Sequence, residues 1–213
     1  MNILFFDTET TGTPKNYKAP MQDLDNWPRI IQLAWEYADH TGTVHDSQKF
    51  LIKPDAWEIP KEKFWIENGF STEQNQVEGR PMPDILDHFI SHLDVCDVIV
   101  AHNFAFDYPI TGAEMIRYKK KAKPNPQRAK VCTMETTVEL CKIPFPNRGR
   151  FNSRQPYKWP KLNELYQVLF NKGFAGAHDA GNDVAACREC FFELLKKGHL
   201  PQSFYKHYKA FLT

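Results

Sequence analysis

Cysteine is scarce and poorly arranged for cross-linking. The 213-residue chain has five, Cys96, Cys132, Cys141, Cys187 and Cys190, an odd and scattered set. A chain of this length buries enough apolar surface to hold together without staples, which argues against a disulfide framework and for a reducing, intracellular setting. Long apolar runs are missing as well. The run Ile3-Leu4-Phe5-Phe6 stops at Asp7 with no basic stretch before it, so neither a signal segment nor a membrane span is expected, and the protein reads as soluble and cytoplasmic. An excess of one charge is also lacking. The 27 Lys and Arg nearly balance the 26 Asp and Glu, for a net charge of +1, which excludes a generally basic nucleic-acid coat protein but not a local basic patch. No internal repeat is evident. The 42% hydrophobic content, with 14% aromatic, suffices for the core of one domain spanning residues 1–213.

Residues Asn2 to Phe6 have the continuous apolar pattern of a strand buried on both faces at the middle of a sheet. Ile30 to Ala38 and Val44 to Ile52, rich in β-branched and aromatic residues and separated by Thr41-Gly42-Thr43, predict an antiparallel pair. After Pro83 the positions Ile85, Leu86, Phe89, Ile90 and Leu93 predict an amphipathic helix, followed by a short buried strand at Val98–Ala101. A further helix is expected near Asp107, a strand around Val131, and helices over Leu162–Phe170 and Asn182–Lys196. Ile143 to Lys161, with four prolines and three internal arginines, reads as a long loop. This order predicts an α/β domain with a mixed sheet flanked by helices.

Three acidic segments carry the chemistry. Asp7 and Glu9 are two residues apart at the end of the first strand, so both carboxylates fall on one side. Paired anions there cost free energy unless a cation or protons compensate; a turn or capping role is the plainer alternative. Asp107 follows the strand Val98–Ala101 through His102-Asn103-Phe104-Ala105-Phe106 and could equally cap a helix that has Pro109 in its first turn. In His178-Asp179-Ala180-Gly181-Asn182-Asp183, His178 and Asp183 can converge only if His178 lies in the loop before the helix. Gly176, Ala177, Ala180 and Gly181 would permit that approach; the plainer alternative makes Asp179 an N-cap and His178 a surface loop residue.

Together, Asp7-Thr8-Glu9-Thr10-Thr11-Gly12, His102 to Asp107 and His178 to Asp183 resemble the three motifs of the DEDDh 3′→5′ exonucleases, over roughly Asn2 to Leu195. The tyrosine branch of that superfamily would place Tyr where this chain has Asp179, so the histidine branch is the one resembled. The resemblance implies an RNase H-like sheet and two Mg²⁺ or Mn²⁺ ions held by Asp7, Glu9, Asp107 and Asp183. It further implies His178 as general base, with release of nucleoside 5′-monophosphates from DNA or RNA. Thr10 and Thr11 would meet the terminal nucleotide, and Asn103 and Phe106 would line its site, though Phe106 could equally be plain core. Where the family often has a His-Gly-Ile-Thr-like stretch, this chain has Asn68-Gly69-Phe70-Ser71, and Phe70 is expected to stack on a base.

Between Arg117 and Lys161 there are thirteen Lys or Arg and only two acids, Glu135 and Glu139. Interleaved with Tyr118, Phe145, Phe151, Tyr157 and Trp159, this composition suits a groove for a single-stranded 3′ end, though a solvated basic loop has the same composition. Cys187 and Cys190 share a helix face and read as packing rather than zinc ligands. Two rival functions remain open: a silent nucleic-acid-binding or scaffold domain, and a hydrolase of short oligonucleotides. No motif points to a polymerase or other protein partner.

Overall fold

In the computed structural model, residues 1–145 and 156–209 are described. The first strand, β1 (Asn2–Thr10), lies at the centre of a five-stranded sheet. β2 (Ile30–Asp39) pairs with it antiparallel, and β3 (Val44–Leu51) pairs with β2 in the same sense. β4 (Val98–Ala101) runs parallel to β1 on its other side, and β5 (Ala129–Cys132) runs parallel to β4, giving the order β3-β2-β1-β4-β5. This is the mixed sheet of the RNase H-like fold.

Alternation along β1 divides the core into two layers. Ile3 and Phe5 point to one side, where Phe5 meets Phe191 with ring centroids 5.3 Å apart. That layer is covered by α7 (Leu162–Phe170), α8 (Ala180–Lys196) and the short α9 (Gln202–Tyr208). Leu4 and Phe6 point to the other, where Phe6 meets Phe89 at 5.6 Å. There the cover is α3 (Met82–Leu93), whose buried positions Ile85, Leu86, Phe89, Ile90 and Leu93 are those its spacing predicts, and α4 (Phe104–Arg117). Truncating a ring as enclosed as Phe5 or Phe6 to Ala costs about 3–5 kcal/mol.

The long periodic elements stand within a few residues of their sequence limits, whereas short ones carry no period to detect. α1 (Lys63–Glu67), α2 (Thr72–Glu78), α5 (Thr133–Thr136) and α6 (Val138–Cys141) are of this kind. α4 begins a turn earlier than Asp107 and Pro109 suggest. Asn103, at φ 71°, occupies the cap position, which places Asp107 inside the helix and rules out its role as the cap. Pro109 has no amide to offer the Ala105 carbonyl four residues before it, and Ala105 is an exposed residue of the first turn. Of the long loop expected over 143–161, residues 146–155 lie outside the described residues. Among the described residues no helix is long and apolar enough to cross a membrane.

Candidate active site

β1 carries its apolar residues through Phe6 and then delivers Asp7 and Glu9 on the α8 side of the sheet, beyond the point where pairing with β4 stops at Phe5. The β1–β2 ladder is irregular at this end. Pairing passes from Glu9–Gln32 to Thr10–Ile30, leaving Ile31 as an extra residue on β2. Such a bulge turns the strand and re-aims its side chains. Beyond the end of β4, Asp107 takes over as partner of β1. Its Oδ1 accepts the Thr8 amide at 3.1 Å and the Thr8 hydroxyl at 2.7 Å, with the residue only 2% exposed.

The third segment is set by the start of α8. Asp179 caps the helix, accepting the Asn182 amide at 3.2 Å, and also receives Lys49 Nζ of β3 at 2.9 Å. Gln32 of β2 accepts the Ala180 amide at 2.8 Å. These bonds pin the helix end to the sheet, so Asp183 in the first turn faces the β1 acids. A side chain at Gly181 would press on Lys49 and Asp179, so the small residue permits this approach. His178 lies in the loop, exposed, at φ 69°, and its amide donates to Asp183 Oδ2 at 3.1 Å. Asp179 is therefore the cap, and His178 lies in the loop before the helix, where its backbone amide meets the Asp183 carboxylate.

Carboxylate oxygens of Asp7, Glu9 and Asp183 lie within 4.8 Å of one another. Burial, then the charges of Asp107, Asp183 and Glu9, raise the Asp7 carboxyl well above the usual range. Burial and the neighbouring aspartates push Glu9 up to about 8. Burial lifts Asp107 to about 7 against the two Thr8 bonds, and Asp183 to about 6 against the His178 amide. Among the described residues the groups acting most strongly on these acids include no lysine or arginine, and only His178 offsets Asp183 by its charge. All four acids resist ionising together without added positive charge, and a cluster of hard oxygen donors fits Mg²⁺ or Mn²⁺.

Other expected contacts fare differently. Phe70 is 5% exposed and packs with Ile31 and Ile59, so its ring is core and is not offered to a base. The Thr10 hydroxyl donates to the Gly12 carbonyl at 2.6 Å, and the Thr11 hydroxyl accepts the Arg29 amide at 3.0 Å. Both thus shape the turn after β1. Asn103 is half-buried at the head of α4, and Phe106 packs at the edge of the core with its ring 6.5 Å from Tyr17. His102 bonds Thr133 at 2.9 Å and the Pro160 carbonyl at 3.0 Å, and burial lowers it to about 4; it is a neutral structural residue.

Sequence reasoning missed α1. Trp65 Nε1 donates to the Thr10 carbonyl at 2.9 Å, which seats the helix beside the end of β1. Phe64, 44% exposed, lies edge-on to His178 with centroids 5.5 Å apart. The adjacent aromatics Phe64-Trp65 were the only available signal, since one helical turn has no periodicity. The basic segment is also more committed than its composition suggests. Arg117, Lys120, Lys123 and Lys158 pair with Glu114, Asp87, Asp94 and Glu164, while Arg148, Arg150 and Arg154 lie outside the described residues.

Residues 4–191 match the profile of the RNase_T family, described as exonuclease. No curated protein matches significantly. Among solved structures the chain is similar to exonuclease I, at 18% identity and a TM-score of 0.70, covering 92% of this chain and 41% of that one. It is similarly close to E. coli exonuclease I in complex with a dT13 oligonucleotide, at 19% identity, TM-score 0.68 and the same coverages. The zinc-bound form of the E. coli enzyme with single-stranded DNA gives 18%, 0.68, 92% and 40%. At such identities the likeness is one of fold, and the chain spans about two fifths of the length of those structures.

Proposed function

The chain belongs to the RNase_T exonuclease family, with the motifs of its DEDDh type, and from that premise we propose that residues 1–213 act as one 3′→5′ exonuclease domain. In this reading Asp7, Glu9, Asp107 and Asp183 hold two divalent cations, Mg²⁺ or Mn²⁺, and His178 is the general base. The observation that carries it is the convergence of these carboxylates at the open end of β1, raised by one another and by burial, with a loop histidine exposed beside them. When bound, the cations neutralise the carboxylates and stabilise charge on the scissile phosphate.

The chain's own groups do the rest. Exposed His178 takes a proton from the attacking water, whose oxygen bonds to phosphorus as the bond to the preceding 3′-oxygen breaks. That oxygen leaves taking a proton from solvent, His178 returns its own to solvent, and the product is a nucleoside 5′-monophosphate. Asp183 positions the histidine through the His178 amide. Phe64 replaces Phe70 as the ring that stacks on the terminal base, while Thr10, Thr11, Asn103 and Phe106 frame the floor of the site. The oligonucleotide and single-stranded DNA complexes of E. coli exonuclease I support a single-stranded nucleic acid as substrate.

A second reading, hydrolysis of short oligonucleotides, is favoured by the ion pairs that occupy Arg117, Lys120, Lys123 and Lys158. One experiment tests both. DNA and RNA strands labelled at the 5′ end, from a dinucleotide to a 20-mer, are incubated with Mg²⁺ or with excess chelator. A ladder shortening from the 3′ end only with metal is expected, and rates falling with length would select the second reading. Turnover by metal-free protein would end the two-metal proposal.

A further inference from the structure

On the face of the sheet opposite Asp7 and Glu9, a second group of metal-ligating side chains joins α3 to the edge strand β3. Asp46 pairs with Tyr37, which pairs with Leu4, so Asp46 lies on the Leu4 side of the sheet rather than the Asp7 side. His88 and His92, four residues apart on α3, share a helix face, and their ring centroids are 5.3 Å apart. Their Nε2 atoms lie 3.3 and 2.8 Å from the same oxygen, Asp46 Oδ2. One ligand atom from each of the three residues lies within 4.8 Å of the others.

The groups around this cluster hold it in a ligating arrangement. Asp46 is oriented by Trp35 Nε1 on Oδ2 at 3.1 Å and by Gln48 Nε2 on Oδ1 at 2.6 Å. His92 is stacked on Tyr37 at 4.5 Å, and His88 stands edge-on to Trp35 at 5.1 Å. Partners of this kind, outside the ligands themselves, fix ligand orientation in metal sites. Packing does not require the cluster, because Ile85, Leu86, Phe89, Ile90 and Leu93 already bury the inner face of α3.

We propose that Asp46, His88 and His92 bind a single divalent cation of borderline softness, of the Zn²⁺ class. Two imidazole nitrogens and one carboxylate oxygen suit Zn²⁺, whereas the all-oxygen cluster on the other face suits Mg²⁺ or Mn²⁺. The His88 side chain is 41% exposed, so the ion has a route from solvent and an open side for a water ligand. Bound there, the ion ties the edge strand β3 to α3, a structural role independent of the chemistry proposed for the β1 end.

The test uses the full chain carrying Asp7→Ala, which removes a central acid of the other cluster. Zn²⁺ is titrated in competition with a chromophoric chelator. One Zn²⁺ per chain is expected, with affinity weakened more than about tenfold by adding His88→Ala, His92→Gln or Asp46→Asn, since losing a ligand exceeds the loss from an outer partner. Co²⁺ should give a visible absorption band that His92→Gln abolishes, and Zn²⁺ should raise the melting temperature of the Asp7→Ala chain. His88→Ala decides the matter if a more buried variant fails to fold, because its side chain is half exposed. Undiminished Zn²⁺ affinity in that variant, or no Zn²⁺ bound by the Asp7→Ala chain, overturns the proposal and leaves the exonuclease reading untouched.

Discussion

Asp7, Glu9, Asp107 and Asp183 make the sheet end a place where protons and cations compete. Their pKa values are raised in the folded chain, Asp183 to about 6, Asp107 to about 7 and Glu9 to about 8. A carboxyl that holds its proton more tightly when folded contributes stability that is fully present below its unfolded pKa, near 4, and is lost as pH rises through the folded value. In excess chelator the melting temperature should therefore fall between about pH 4 and pH 8, and saturating Mg²⁺ should remove most of that fall. A flat chelator profile would mean that the acids do not burden one another as described. His178 calls for a different measurement. His178→Ala should lower turnover by about 10²–10⁴ while metal and oligonucleotide binding persist. A variant whose main defect is metal affinity would make the histidine a ligand instead.

At the scale of elements, the site depends on how α8 and α1 are docked. Gln32 accepts the buried Ala180 amide, and Lys49 holds Asp179. Gln32→Ala leaves that amide without its acceptor, at a cost of about 1–3 kcal/mol, and frees the helix end that carries Asp183. Both melting temperature and turnover should drop, whereas Lys49→Ala, which removes a half-exposed ion pair, should change stability by less than about 1 kcal/mol. Equal effects of the two substitutions would argue that the helix is placed by packing alone. Trp65→Phe removes the bond from α1 to the Thr10 carbonyl. If that bond seats Phe64 over His178, the variant should raise KM for an oligonucleotide more than it lowers kcat, read by steady-state kinetics.

Across the whole molecule, charge is nearly balanced but unevenly used. Among the described residues several cations between Arg117 and Lys161 serve internal pairs, so the proposed groove for a long strand is best tested at Arg148, Arg150 and Arg154, which lie outside them. Replacing those three arginines with serine should reduce the slope of log binding constant against log salt by up to about 2 on single strands, at roughly 0.7 per phosphate contact. Cleavage of a dinucleotide should change little. An unaltered slope measured by fluorescence anisotropy would assign the segment to solvation.

The amino-acid sequence by itself determined the order of the main strands and helices, because each long element buries a face and so repeats its apolar residues with a readable period. It also marked Asp7 and Glu9 as paired acids, since they stand two apart at the end of a strand too apolar to be exposed, whereas Asp107 and Asp183 joined them only through the resemblance of the three motifs taken together. Other features depend on partners far apart in the chain. Asp107 reads as a helix cap until Thr8, ninety-nine residues away, is seen to bond its carboxylate. His102 and His178 look alike in their motifs, yet burial against Thr133 and Pro160 makes one structural while a left-handed loop leaves the other exposed. Phe70 is enclosed and Phe64 exposed for the same reason: local sequence does not say which aromatic ring the neighbouring elements will cover. Only the packing of α3 against β3 brings His88 and His92 to Asp46, because the helix supplies the histidine spacing but not the strand that meets it.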